Sequence, residues 1–338
     1  MKFECTTVGY LQKGEDILML YRNAKENDIN EGKWIGVGGH IENGESPDEC
    51  FIRETYEETG FKINTCKYRG IITFVYEDKL TEFVSVFTSD DFCGEQKQCD
   101  EGKLKWIRKN DIYNLNVWEG DKIFFKLIED NEEFFSLKLE YTKEDKLKSA
   151  KLNGKNMELF DIVDENGNKT GVVQERGVVH RTGMMHRSVH MWIVNKDENG
   201  KTKILLQKRS KNKDSHPGCY DISSAGHISA GDEVINSAIR EIKEELGIDA
   251  KEEDFKYIGN HRGYFKDYFY GKLFFDNSIS PVYIYCQKVD IEKLTLQKEE
   301  IESVKWFDFD ECYELVKTNK IKHCIYLDEL DMLKEYIL

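Results

Sequence analysis

Apolar and polar positions run along the 338-residue chain in two similar series. Each series opens with a short apolar run, Thr7–Leu11 or His190–Val194, which predicts a strand. A second run, Ile17–Leu20 or Ile204–Leu206, leads to an arginine, Arg22 or Arg209. A glycine-rich loop and a helical segment follow, then further strand-like runs (Ile71–Phe87; Val282–Gln287). A strand containing Trp106 or Trp306 precedes a closing amphipathic helix. Between the series, Phe134–Leu152 alternates apolar and polar residues around Glu144-Asp145, which predicts a hairpin appended to the first. The Gly/Asn/Lys-rich segment Asn153–Met157 marks a boundary. The expectation is an α/β protein of two domains, 1–152 and 157–338, each long enough to bury a core.

The series are related by a repeat. Residues 39–61 read GHIENGESPDECFIRETYEETGF and residues 226–248 read GHISAGDEVINSAIREIKEELGI. One shift aligns Gly39 with Gly226, Gly44 with Gly231, and Arg53-Glu54 with Arg240-Glu241. It also aligns Glu57-Glu58 with Glu244-Glu245, Gly60 with Gly247, and Arg22 with Arg209.

Ser46, Pro47 and Glu49 form a helix start, and Gly60 a helix stop. Between them Glu54, Glu57 and Glu58 stand at i, i+3 and i+4, so three carboxylates share a face. Like charges so spaced repel by a few tenths of a kcal/mol per pair, a cost of about that size that helix stability alone does not explain. A divalent cation above them does explain it, and Glu241, Glu244 and Glu245 repeat the pattern. A solvated acidic face would account for one such triplet. It accounts poorly for two, each with an arginine, a glycine loop and a terminal glycine.

Charge and composition narrow the partners. The net charge is −15 and the pI about 5.2, which opposes binding to long nucleic acids. Small phosphorylated ligands remain, because a cation bridges acidic protein and acidic ligand. No apolar run approaches the roughly 18 residues of a membrane span. Nine cysteines without a CxxC pair suit a reducing cytoplasm, the expected location.

Each repeated segment resembles the Nudix box: Gly, five residues, Glu, seven residues, then Arg-Glu-x-x-Glu-Glu-x-Gly and an apolar residue. The first copy supplies Gly39, Glu45, Arg53, Glu54, Glu57, Glu58, Gly60 and Phe61, with Thr55 where an apolar residue is usual. The second matches except for Asp232 in place of Glu. The resemblance implies two α/β/α sandwich domains, each with a mixed β-sheet and a glutamate-rich catalytic helix. It implies Mg²⁺-dependent hydrolysis, with Mn²⁺ an alternative, of a nucleoside diphosphate linked to another moiety. The metal would be held by Glu54, Glu57, Glu58 and the Gly39 carbonyl, and in the second copy by Glu241, Glu244, Glu245 and Gly226. Arg53 and Arg240 would orient the carboxylates, and Arg22 and Arg209 would contact phosphate. One further acid would serve as base or ligand: Glu101 in the first copy, and Glu300 in the second with Glu299 and Glu302 as rivals.

Outside the box the halves resemble different branches. Arg22–Gly39 and Val117–Phe125 are similar to 8-oxo-dGTP diphosphatases, which implies that Trp118 stacks on a purine and Asp121 reads its edge. Gly120 and Ile35 depart from that branch. The stretches 160–171, 179–195, 205–210 and 216–233 resemble the subgroup related to isopentenyl-diphosphate isomerase. That chemistry requires a cysteine where this chain has Ala225, and Cys219 is a poor substitute. His180, His186 and His227 roughly match metal-binding histidines of such isomerases; the other reading is packed histidines. The expectation is a bifunctional hydrolase whose second substrate is an unknown diphosphate. An isomerase second domain and one domain kept as a ligand-binding module are the alternatives.

Overall fold

The computed structural model describes residues 2–24, 28–77 and 79–337. Lys25, Glu26 and Asn27 of the diphosphatase-like stretch, and Asp78 of the run Ile71–Phe87, lie outside the described residues. Contacts divide the chain into two compact units: Met1–Leu159 with Val172–Val178, and Phe160–Gly171 with Val179–Leu338.

The first unit carries, among the described residues, a nine-stranded mixed sheet. Lys2–Lys13 runs parallel to Leu80–Cys93, which pairs antiparallel with Lys62–Tyr76. The end of Lys2–Lys13 turns into Asp16–Arg22, flanked by Trp34–Ile35 and Gly102–Arg108. The helix Pro47–Thr59 covers one face, where Phe51 packs with Leu11, Leu18, Val37 and Phe87. The helix Glu119–Glu129 places Phe124 and Phe125 against Tyr10, the residue before Leu11 and so on the opposite face. The expected hairpin forms from Phe135–Tyr141 and Leu147–Leu152, and it extends the sheet through Lys62–Tyr76.

The boundary at Asn153–Met157 needs correction. Asn153 and Gly154 take positive φ (49° and 80°), and Lys155–Asn156 folds back on Lys151–Leu152 as a further strand. The Gly/Asn-rich signal is a tight turn inside the first unit rather than a linker.

The second unit repeats the plan with a seven-stranded mixed sheet among the described residues. His186–Lys196 runs parallel to Lys272–Tyr285, which pairs with Phe255–Phe269. Ile242 and Leu246 of the helix Val234–Leu246 pack with Ile193, Leu205 and Ile301. Phe309, Leu330 and Leu333 pack with Trp192, Ile204 and Leu206 on the alternate positions of the same strands. Each unit is thus an α/β/α sandwich. The strand expected over Val282–Gln287 starts earlier, at Lys272, and stops at Tyr285.

Candidate active sites

The first glutamate helix is fixed at both ends. Ser46 and Glu49 form a reciprocal capping box, Pro47 begins the helix, and Gly60 ends it at φ 80°. Its three glutamates do not share one environment. Glu57 is the most open, its side chain 58% exposed, while Glu58 is buried. Glu54 lies against the glycine loop, and a Cβ built on Gly39 would come within 2.3 Å of Glu54 Oε1. Gly39 is therefore needed for close approach of helix and loop, while its carbonyl accepts the Thr7 N–H at 2.9 Å. Arg53 ties the group together. It donates to both Glu45 oxygens (2.8 and 2.9 Å), to Glu54 Oε1 (2.8 Å), to Glu57 Oε2 (3.3 Å) and to the His40 carbonyl. Its bidentate bond pulls the Glu45 carboxyl down to about 2.

Glu58 accepts the Gly38 N–H at 3.1 Å. Burial first, then the charges of Glu101 and Glu54, push its carboxyl up to about 8. Glu101 meets Arg22, whose guanidinium also pairs with Asp28 at 2.6 Å. Arg22 is thus held by two carboxylates, a partnership the sequence reading of a phosphate contact did not include.

A cavity of about 470 Å³ joins these groups to the predicted base site, with Arg22, Glu54, Glu101, Phe74, Trp118 and Asp121 all on its wall. Trp118 is 6% exposed, held by an Nε1–H bond to Asn30 Oδ1 (2.8 Å) and edge contacts with Phe74 and Tyr141. Lys33 Nζ lies 4.3 Å from the centre of its ring. Asp121 shares this cavity wall, and desolvation, with the Glu119 charge second, pushes its carboxyl up to about 8. It is mostly protonated near neutral pH and can donate a hydrogen bond. Gly120 stays compact because a Cβ there would come within 2.6 Å of the Tyr141 hydroxyl, which accepts its N–H.

The second site follows the same plan with looser fastening. A Cβ on Gly226 would reach 2.0 Å from Glu241 Cδ, so this glycine has the same role. Arg240 pairs with Glu241 (2.7 Å) and Glu244 (3.3 Å) and donates to the His227 carbonyl. Among the described residues it forms no ion pair with Asp232, whose shorter side chain replaces the Glu45 clamp. Glu245 is buried and accepts the Ser224 hydroxyl (2.6 Å) and the Ala225 N–H (3.3 Å). Burial pushes its carboxyl up to about 7.

Arg209 is occupied by Asp221 at 3.0 Å and by Ser215. Glu300 pairs with Lys213, Glu302 with Lys208 at 2.9 Å, and Glu299 is exposed. The Arg22–Glu101 contact therefore has no counterpart between Arg209 and Glu300 among the described residues. Cys219 is buried, which raises its thiol.

The chemistry of the donor set fits a hard divalent cation. Every donor in either cluster is oxygen, and each cluster contains a buried carboxyl forced upward by desolvation and by a neighbouring glutamate. His180, His186 and His227 form a different set, with one ligand atom from each within 4.8 Å of the others. His180 Nε2 and His227 Nε2 are 3.2 Å apart, and Phe160 stacks on the rings of His186 and His227. Among the described residues it is the one trio of such groups so compact.

Sequence reasoning missed Asp28 and Asn30, which the loop after Arg22 brings onto the cavity wall. It also missed His190, His261 and Glu329 in the second unit, which meet through long-range strand and helix pairing.

The NUDIX domain model matches residues 6–128 and 184–327. The chain is 43% identical over 158 residues to Nudix hydrolase 3 of Arabidopsis thaliana; that match covers 46% of this chain and 20% of the plant protein. It is 40% identical over 154 residues to an uncharacterized Nudix hydrolase of Clostridium acetobutylicum, covering 46% of this chain and 71% of that protein. It is 30% identical over 131 residues to an oxidized purine nucleoside triphosphate hydrolase of Danio rerio, covering 38% and 81%. No helix among the described residues is long and apolar enough to cross a membrane. With one family match on each glutamate helix and its sheet, the chain belongs to the Nudix family as a tandem phosphohydrolase.

Proposed function

We propose that the first unit hydrolyses 8-oxo-dGTP or a related (d)NTP to the monophosphate and pyrophosphate, and that the second hydrolyses a different diphosphate. The observation that carries the first reading is the shared cavity, which sets Glu54 and Glu101 on the same wall as Trp118 and Asp121. The purine would lie against Trp118, and a protonated Asp121 would donate to its edge. The likeness to the zebrafish oxidized purine hydrolase supports this choice.

Glu54, Glu57, Glu58 and the Gly39 carbonyl would hold Mg²⁺, or Mn²⁺ in its place. When bound, the cation neutralises the diphosphate and acidifies the attacking water. Arg53 positions Glu54 and Glu57 through its fork of bonds. Glu101, paired with Arg22, is placed to take a proton, and Arg22 presents positive charge to the phosphates. Glu241, Glu244, Glu245 and Gly226 form the second metal cluster, with Arg240 positioning and Glu300 the remaining candidate base. Each unit acts as its own catalytic domain.

The histidine trio favours a second reading of the second unit, as an isomerase with a nitrogen-ligated metal. Ala225 opposes it, because the acid that chemistry needs is missing. The test of the base site is Trp118→Ala. It should raise KM for 8-oxo-dGTP at least tenfold and leave the second unit's turnover unchanged. An unaltered KM would remove the purine reading.

A further inference from the structure

Glu82 is a second carboxyl on the wall of the first unit's cavity, and neither the repeat nor the glutamate helix accounts for it. It lies on the strand Leu80–Cys93, where it pairs with Glu4 on one side and with Phe74 on the other. Side chains paired in this way stand about 5 Å apart on one face of the sheet. Leu80 and Val84, two residues away along the same strand, share that face. All of these residues line the cavity. Phe74 in turn meets the ring of Trp118, with 5.4 Å between centres. Glu82 is therefore one side chain away from the ring on which the purine would lie.

The bonding of this carboxyl is incomplete. Thr6 Oγ1–H donates to Glu82 Oε1 at 2.6 Å. Among the described residues Glu82 has no other hydrogen bond and no ion pair. Its neighbour Glu4 differs, being paired with Lys2 and with His40 at 3.4 Å. Desolvation raises the Glu82 carboxyl, the Thr6 bond opposes that rise, and the Glu4 charge adds to it. The side chain is half-buried and still borders the cavity, so a ligand can reach it. Packing does not explain the residue, because an aliphatic side chain between Leu80 and Val84 would avoid the cost of desolvating a carboxyl.

The other polar groups of the cavity leave one task to it. Trp118 Nε1–H is taken by Asn30, Arg22 pairs with Asp28 and Glu101, and Asp121, mostly protonated, is placed as a donor. A base that presents an N–H donor needs an acceptor, and a carboxyl keeps an accepting oxygen in either protonation state. A phosphate would be repelled there by Glu4 and Glu82, and an apolar group would leave the carboxyl unsatisfied. We propose that Glu82 is a specificity residue of the first unit, accepting a hydrogen bond from the exocyclic amine of a guanine-type base while Asp121 donates to the same base. Thr6 is its positioning residue, holding the carboxyl through Oε1. This rests on the reading of the first unit as a purine nucleotide hydrolase.

The test reads a substrate preference, using the full chain with Mg²⁺ and Glu245→Gln, so that turnover belongs to the first unit. Pyrophosphate release gives kcat/KM for 8-oxo-dGTP and for 8-oxo-dITP, which lacks only the exocyclic amine. With Glu82 in place, 8-oxo-dGTP should be preferred by about tenfold or more, because a site built to accept an N–H rejects the analogue without it. Glu82→Leu should reduce that preference to within about twofold, with the loss falling on 8-oxo-dGTP. Glu82→Gln keeps an accepting oxygen and should keep most of the preference. Thr6→Val should lower the preference severalfold, and it reads the proposal even if Glu82→Leu does not fold. No preference with Glu82 in place, a preference that survives Glu82→Leu and Thr6→Val, or equal losses on both substrates would overturn the proposal. Hydrolysis of 8-oxo-dGTP that Trp118→Ala weakens and Glu82→Leu does not would overturn the Glu82 assignment and leave the purine reading standing. No hydrolysis of either nucleotide would overturn both.

Discussion

Gly39→Ala tests whether Glu54 works from the place the fold gives it. The added Cβ would lie 2.3 Å from Glu54 Oε1, whereas even tight contacts of real Cβ atoms lie at 3.0–3.4 Å. The carboxylate must then retreat by about 0.7–1.1 Å, since Gly39 is locked by the Thr7 bond. Displacement of a reacting group by about 1 Å costs on the order of 10²-fold in rate, or roughly 2.7 kcal/mol. Gly39 does not adopt positive φ, so alanine brings no backbone strain. Expected, then, is a protein with unchanged circular dichroism, a Mg²⁺ titration shifted to higher concentration, and first-unit kcat lowered about 10²-fold. The assay is pyrophosphate release from 8-oxo-dGTP, with the second unit's turnover as internal control. Unchanged kcat and Mg²⁺ dependence would refute the idea that Glu54 must lie against this loop.

Three further outcomes follow from the same structure. Desolvation places the carboxyls of Glu58, Asp121 and Glu245 at about 8, 8 and 7, above ordinary carboxyls near 4 in an unfolded chain. Raised carboxyls favour the folded state below the unfolded pKa, so metal-free stability should fall as pH rises from about 4 to 8, with Mg²⁺ opposing the fall; a metal-free Tm that climbs over that range would contradict the burial argument. Asp121→Asn keeps a neutral donor and should retain purine turnover within a few fold near pH 7, whereas Asp121→Leu should raise KM for 8-oxo-dGTP tenfold or more; equal kinetics for both variants would dismiss Asp121 as a reader of the base. Thr55 is fully buried, and its hydroxyl has no partner among the described residues. Thr55→Val should therefore stabilise the first unit by about 1 kcal/mol, a Tm gain of roughly 2–4 °C, and a lower Tm would show a hidden partner.

The box was legible in the sequence because its information is local. Ser46, Pro47, Glu49 and Gly60 specify one helix by themselves, and spacing alone puts Glu54, Glu57 and Glu58 on neighbouring turns. Their unequal burial was not legible, because it depends on how Phe51 seats the helix on the sheet. The turn at Asn153–Gly154 shows the limit of composition, since turn residues and linker residues are the same residues. The register of the second unit's first sheet strand was hidden for a sharper reason. Facing positions alternate along a strand, so a shift of one residue between the runs Thr7–Leu11 and His190–Val194 reverses which side chains share a face. Only the observed pairing of Thr6 with His40 and Ser188 with His227 fixes that register.

The central claim is that each glutamate helix serves its own diphosphate substrate. Its most direct test is mass spectrometry of products from the full chain with Mg²⁺, offered 8-oxo-dGTP, dGTP, UDP-glucose and isopentenyl diphosphate. Wild type is compared with Glu58→Gln and Glu245→Gln. The account predicts 8-oxo-dGMP and pyrophosphate that vanish only with Glu58→Gln, and a second product that vanishes only with Glu245→Gln. Loss of both products in either variant, or 8-oxo-dGTP left intact by wild type, would contradict it.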